Sequence, residues 1–455
     1  MSMRQWRSVA WVLAGMLLVG VAALAVHRPW RGSGCPERTD RTLVVLGDKD
    51  VSSGRQRKAE IERWRGPGGM RAELRELSGV ADLQHAQLAA TAQDGGCGVD
   101  VYVLDGPWVA EFAEAGHLEP FEEKEKPLDG LLTGGLRESG YHDEELWAVP
   151  FSADAPLLYY RKDLLEKADL EPPASWDEVW EHAGTLLAEP SSGLRAGYAA
   201  QLAHYEGFTI NVLELMWTHD SSELLDDDGE VEINLISLQK IREKLGDSRL
   251  IARESFTWHE DEATRAFVEG ETLFLRNWPT AYRRLAEDPS VGNAEQLDEK
   301  YGVTVLPGHG VLGGQSLAVA ANSPYKEEAR RLIRTLTGYD AQNRLFWCGG
   351  FAPVHAGVYD EKSPETCDTR ASGDKGGYVA QLPPEELDTL RDAVERARPR
   401  PNTPYYTEFS RVFQELLYCD LQSAALVTSC PQKPGSAPEF PPALEKRLTD
   451  ALQGR

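Results

Sequence analysis

Short apolar runs alternating with helical stretches limit what this chain can fold into more than any other feature. "TLVVLG" at 42–47 is rich in Val and Leu; a polar loop (Asp48, Lys49, Asp50) and a helical stretch carrying Ile61 and Trp64 follow it. "GVDVYVLD" at 98–105 is a second buried run, ending on Asp105, and "WVAEFAEAGHLEPF" behind it has helix spacing. Strands alternating with helices predict an α/β fold with a largely parallel sheet. In such sheets ligands bind outside the carboxyl ends of the strands, where Asp48 and Asp105 both fall. Further on, "LWAVPFSADAPLLYYRKDLLEKADLEPPASWDEVWEHAGTLL" reads as strand, turn, strand and two helices, with Ser175 and Glu178 forming a capping box. "GVTVLPGHGVLGGQSLAVAANSPYKEEARRLIRTLTG" repeats strand, Gly-rich loop, strand, helix. At 455 residues the chain is too long for one core, and two lobes are expected.

"FVEGETLFLRNWPTAY" at 267–282 poses a narrower question. The run Thr272–Leu275 ends in Arg276-Asn277-Trp278-Pro279, so the aromatic sits where the chain leaves the sheet and Pro279 turns it away. A Trp there suits a ligand contact; a core Trp at a strand end is the alternative.

Composition excludes some partners. The formal net charge is -25, so no basic stripe is available for a phosphate backbone, and nucleic acid is excluded. The hydrophobic fraction of 41% and aromatic fraction of 9% are those of a folded globule. Arg4 and Arg7 followed by an apolar run from Val9 to Val26 read as an export signal, with Ala23-Leu24-Ala25 as a cleavage site. The same stretch is long enough to stay as a membrane anchor, and Gly34-Cys35 offers a lipoprotein cysteine. Each option places the body outside the cytoplasm, cleaved or tethered to the outer face of the membrane. Six cysteines in an exported chain suggest disulfides; spacing favours Cys419 with Cys430 and Cys348 with Cys367, leaving Cys35 with Cys97. No Cys or His group has zinc spacing, so no metal is expected. Gly308-His-Gly310-Val-Leu-Gly313 matches GxGxxG, but another apolar extended run follows it where a dinucleotide site needs a helix. With no P-loop, HExxH or GxSxG either, no cofactor is expected.

The order "DVYVLDGPWVAEFAEAGHLEPF", "LWAVPFSADAPLLYYRKDLLEKA", "AFVEGETLFLRNWPTAY", "YGVTVLPG", "GGQSLAVAANSPYKEEARRLI" resembles the extracellular solute-binding proteins of ABC importers, within them the maltose- and trehalose-type carbohydrate group. The resemblance covers roughly residues 42–430. It implies a two-lobed, periplasmic-binding-protein-like fold with doubly wound sheets and a hinge crossed three times. One lobe would hold 42–152 plus 314–358 and the other 153–313 plus 359–430, after an export signal or anchor at 1–41 and before a C-terminal tail at 431–455. It also implies a monomer, a carbohydrate ligand in the cleft and a membrane permease as partner. Position by position, Asp105, with Trp108 behind it, matches a sugar-hydroxyl acceptor. Asp154 matches an acidic turn beside the hinge, Trp278 a stacking aromatic with Asn277 beside it, and Gly313 and Gly314 a crossing loop whose N–H groups approach ligand. Asp48, Glu260 (or Glu262) and Arg411 are weaker candidates. Gln315 departs from the pattern, since relatives often carry an aromatic there.

The residue types suit a sugar. Each buried hydroxyl left unpaired costs about 1–3 kcal/mol, so carboxylates and amides are needed to receive it, and a flat aromatic supplies apolar area beneath the ring. Two rivals remain: an exported glycoside hydrolase using Asp105 and Glu260 as its carboxylate pair, and a binder of another solute, such as a polyamine or peptide. The reading preferred is a binding protein and not an enzyme.

Overall fold

The computed structural model describes residue 38 and residues 41–217, 224–226, 228–247, 249–285, 288–361, 386–426 and 442–455. The apolar segment 9–26 lies outside the described residues. Among those described, no helix is long and apolar enough to cross a membrane.

In chain order the strands are β1 (Thr42–Gly47), β2 (Arg71–Glu76), β3 (Val101–Asp105), β4 (Leu118–Glu119), the hairpin β5 (Tyr141–His142) and β6 (Glu145–Leu146), then β7 (Ala148–Pro150), β8 (Leu157–Arg161), β9 (Ala196–Ala199), β10 (Thr272–Asn277), β11 (Tyr301–Val305) and β12 (Gln315–Ala320). They form two main sheets. The first runs β2-β1-β3-β12-β4, with β7 also paired to β12; the second runs β11-β8-β10-β9. β1 lies parallel to β2 and β3, whereas β12 enters antiparallel to β3, with Gln315 opposite Asp105. In the second sheet β8 is antiparallel to β10 and β11. The layered α/β expectation therefore holds, but the largely parallel sheet does not: β1–β2, β1–β3 and β9–β10 are parallel, whereas every pairing made by β8 and β12, the strands at the passages between the sheets, is antiparallel.

Alternation along each strand explains why helices cover both faces. Val101 and Val103 of β3 enter one core, while Tyr102 and Leu104 enter another with Leu88, Trp108 and Phe112. Leu157 and Tyr159 of β8 share the first of these cores; Leu158 and Tyr160 join a third beneath the second sheet. Helices meet these faces through apolar stripes: Lys326–Leu336 buries Ala329, Leu332, Ile333 and Leu336, a three-and-four spacing, and packs on β12. Ser175 caps the helix Trp176–Leu187 by accepting from the Glu178 N–H at 3.2 Å.

The chain passes between the sheets three times. It leaves β7 for β8, returns from β11 to β12, and goes back once more to the helix Glu386–Arg396, which packs on β11. The matched GxGxxG segment lies in the second passage and runs into β12. The long helix Tyr406–Leu426 packs on Glu206–Met216, and the helix Pro442–Leu452 packs on it in turn, burying Leu444 and Leu448 in the core beneath the second sheet.

Candidate functional site

The cleft between the two lobes encloses about 920 Å³. It brings together every site candidate from the sequence except Arg411. Arg411 is exposed on the helix Tyr406–Leu426, between Glu408 and Glu415 on its own surface. One-turn spacing along an outward helix face accounts for those pairs.

Trp278 leaves β10 at the mouth of the cleft, half-buried. Tyr159 Oη donates to its carbonyl at 2.9 Å, and its own N–H donates to Asn277 Oδ1 at 2.8 Å. The indole Nε1–H points to Glu260 Oε1 at 3.4 Å; Tyr205 Oη donates to the same oxygen at 3.0 Å. Beneath the ring lies Arg276, its guanidinium 4.0 Å from the ring centre. That group is fully buried and held by both oxygens of Glu214, at 2.8 and 2.5 Å. Asn277 borders the cleft, yet its amide Nδ2 donates inward to Thr264 Oγ1 at 2.8 Å and the Glu260 carbonyl at 3.2 Å. It ties the strand to the helix Glu260–Val268 and so positions both neighbours.

On the facing wall, Asp48 Oδ1 accepts from Arg57 Nη1 and from Gln315 Nε2, each at 2.7 Å, and Gln315 Oε1 accepts from Arg57 Nη1 at 2.7 Å. Gln315 thus holds Asp48 in place at the position expected of an aromatic. The hinge loop has a steric basis. Gly314 has φ +99°, and a Cβ there would stand 2.1 Å from the Ser152 carbonyl; one on Gly313 would stand 2.9 Å from the edge of the Trp278 ring. The Gly313 N–H donates to the Asp154 carbonyl at 2.8 Å, so it is committed to the crossing strands and does not face the cleft as expected.

Asp154 lies between these walls. Its Oδ2 accepts from Ser152 Oγ at 3.1 Å, while its Oδ1 is shielded from solvent without a partner. Burial pushes its carboxyl up to about 6, opposed by the Ser152 hydroxyl, the Ala352 backbone N–H and Arg57 and reinforced by Asp48. Trp108 contributes a wall but is 4% exposed and packs edge-on to His85 at 5.3 Å, a core role in the main.

Asp105 differs most from expectation. Both its oxygens accept from Arg400, at 2.8 and 2.5 Å, so it is not an open hydroxyl acceptor. Arg400 Nη1 also donates to Glu206 Oε1 at 2.8 Å; Tyr406 and Ser410 hydroxyls complete that carboxylate's shell at 2.6 and 2.5 Å. Burial pushes the Glu206 carboxyl up, against the pull of Arg400. Asp82, from the first lobe, accepts from the Glu206 backbone N–H at 3.1 Å. Arg57, Arg400, Glu206 and Tyr205 were missed from sequence; no local motif marks them, and although Arg57 finds Asp48 nearby, the partners of Arg400, Glu206 and Tyr205 lie far along the chain.

Away from the cleft, Glu114, His142 and Asp143 at the exposed β5–β6 hairpin bring ligand-type atoms within 4.8 Å of one another; among the described residues no such group lies in the cleft. None of the described cysteines Cys97, Cys348 and Cys419 is free. The partners expected for them, Cys35, Cys367 and Cys430, lie outside the described residues.

A two-lobed α/β protein with a polar, aromatic-edged cleft at its hinge is a solute receptor in form. Residues 73–369 match the family of bacterial extracellular solute-binding proteins, and the chain belongs to it. A probable ABC transporter-binding protein of Deinococcus radiodurans is 30% identical over 70% of this chain and 78% of its own length. An sn-glycerol-3-phosphate-binding periplasmic protein of Agrobacterium fabrum is 24% identical over 58% of each. Among solved structures, a maltose-bound T. maritima protein superposes with TM-score 0.72 at 26% identity, covering 91% of this chain and 99% of that one. A ribitol complex from Agrobacterium radiobacter shares the fold, with TM-score 0.69 at 18% identity over 91% of this chain and 98% of that one. Membership in a family of binding proteins sets the hydrolase alternative aside, as does the commitment of Asp105 to Arg400.

Proposed function

We propose that this protein captures a sugar or related polyol in the cleft between its lobes, closes on it by hinge motion, and delivers it to the permease of an ABC importer. The carrying observation is Trp278: a half-exposed indole at a strand end, with Glu260 at its N–H edge and Asp154 by the hinge loop on which its far edge rests. A sugar ring stacked there meets an apolar face flanked by acceptors for its hydroxyls. A micromolar complex needs only about 8 kcal/mol, which two or three such bonds and one stacked ring can supply. The lobes are 42–152 plus 314–358 and 153–313 plus 359–430, with the helix Pro442–Leu452 packed onto the second and residues 1–41 as export signal or tether on the outer face of the membrane. Cys35–Cys97, Cys348–Cys367 and Cys419–Cys430 are the proposed disulfides, and the receptor works as a monomer.

Calorimetry of wild type and Trp278→Ala against a panel of mono- and disaccharides and sugar alcohols tests the reading. The variant is expected to bind the best ligand at least about fivefold more weakly, since an aromatic contact contributes about 1–3 kcal/mol. Equal affinity in the two proteins refutes it.

A further inference from the structure

Each lobe reaches across to a helix end of the other. The helix Glu206–Met216, packed in the core beneath the second sheet, starts at Tyr205, whose side chain does not cap it. The Tyr205 hydroxyl donates instead to Glu260 in the cleft, so the first N–H groups of the helix need an acceptor from elsewhere. Asp82 supplies one: its Oδ1 accepts from the Glu206 N–H at 3.1 Å. Asp82 stands in the first turn of the helix Ala81–Gln93, whose Leu88 and Ala92 pack in a core of the first sheet. A carboxylate of one lobe thus sits at the positive end of a helix of the other. Its neighbours Ala81 and Gln84 line the cleft, but Asp82 does not.

A cation of the second lobe meets the opposite kind of helix end in the first. The helix Tyr339–Arg344 continues as a short π-helical turn, Leu345–Gly349, which packs on Gln56–Arg63 and stops at Gly350 with φ +81°. Carbonyls at such an end need donors from outside the helix. Arg283, in the helix Ala281–Leu285 behind β10, donates from Nη2 to the Phe346 carbonyl at 3.2 Å and the Trp347 carbonyl at 2.5 Å. Glycine at 350 admits it, since a Cβ there would stand 2.9 Å from Arg283 Cγ. Arg283 is buried, and its charge complements the negative end of the helix.

Building on the reading of the cleft as a capture site that closes by hinge motion, we propose that Asp82 and Arg283 are reciprocal cross-lobe caps that favour the closed form and so set how tightly ligand is held. Opening carries the two sheets apart and breaks both contacts. A ligand leaves through the open form, so its affinity contains the free energy of the caps as well as that of its own contacts. Both are positioning residues, and Asp82 acts from outside the cleft lining.

Dissociation constants and rates for maltose and ribitol, read by stopped-flow tryptophan fluorescence, test this in wild type, Asp82→Ala, Asp82→Asn and Arg283→Met. Asp82→Ala should raise Kd about fivefold and Arg283→Met about tenfold, as loss of a helix-end partner in the closed form requires. The rise should lie in koff, with kon within about twofold of wild type, because the open form that admits ligand is unaltered. Asp82→Asn keeps an acceptor oxygen and should recover most of the loss. Asp82 is exposed, so its variants fold; Arg283→Lys, expected to lose about threefold, replaces Arg283→Met if that protein does not fold. Unchanged Kd and koff in a folded variant overturn the role of that residue, as does a loss carried by kon. If neither maltose nor ribitol binds wild type, the sugar reading fails by itself, and X-ray scattering of the ligand-free proteins decides the caps. A larger radius of gyration in Asp82→Ala and the Arg283 variant than in wild type sustains them, and equal radii overturn them.

Discussion

Replacing Asp154 by Asn should stabilise this protein at neutral pH and do nothing in acid. The carboxyl sits beside the hinge with Oδ1 shielded from solvent, and burial, outweighing help from the Ser152 hydroxyl and the Ala352 backbone N–H, raises it from an ordinary 3.8 to about 6. A rise of roughly two units at about 1.4 kcal/mol each comes to about 3 kcal/mol. The sign follows from proton binding: the folded state holds this proton more tightly than the unfolded chain. Its contribution is complete below about pH 4 and is lost as pH rises through about 6. At pH 7 and above, wild type therefore carries an ionised, poorly solvated carboxylate that Asp154→Asn lacks. Urea unfolding of both proteins from pH 4 to 8 reads the difference directly and cancels the other titrating groups. The Asn variant should be up to about 3 kcal/mol more stable at pH 8, with the gap closing below pH 4. A gap that stays constant with pH, or a variant less stable at pH 8, would refute the reasoning.

Two further outcomes follow from the geometry. Gly314→Ala should lower unfolding free energy by roughly 2–3 kcal/mol in urea titration, because its Cβ meets the Ser152 carbonyl and its backbone lies at φ +99°. Arg411→Ala should leave ligand affinity unchanged in calorimetry and shift stability by under about 0.5 kcal/mol, as expected of exposed one-turn ion pairs.

What the sequence makes readable here is what one segment decides by itself. β1 and β3 end at or one residue past their apolar runs, and β10 two residues past its own, so Asp48, Asp105 and Trp278 could be placed at the cleft from their neighbours alone. Ser175 could be read as a cap because the motif is four residues long. The partners of those groups could not. Arg400 lies 295 positions from Asp105, and nothing around "RPRPNTPYY" shows that its guanidinium will be buried against a strand end in the other lobe. The role of Asp105 thus changed from ligand acceptor to ion-pair partner through a contact of long sequence separation. Asn277 shows a subtler limit: its position beside Trp278 was right, but the direction of its amide depends on Thr264, on a helix that packs only in the folded chain.

The placement of β12 between β3 and both β4 and β7 constrains how the molecule can come into being. A fragment stopping at residue 152 would lack the strand that joins the two parts of its own sheet, and would expose unpaired edges. The amino-terminal lobe must wait for residues made some 200 positions later, so its assembly is a slow, long-range event. In a protein of an extracellular family, that dependence keeps the first sheet incomplete until residue 320 has been made.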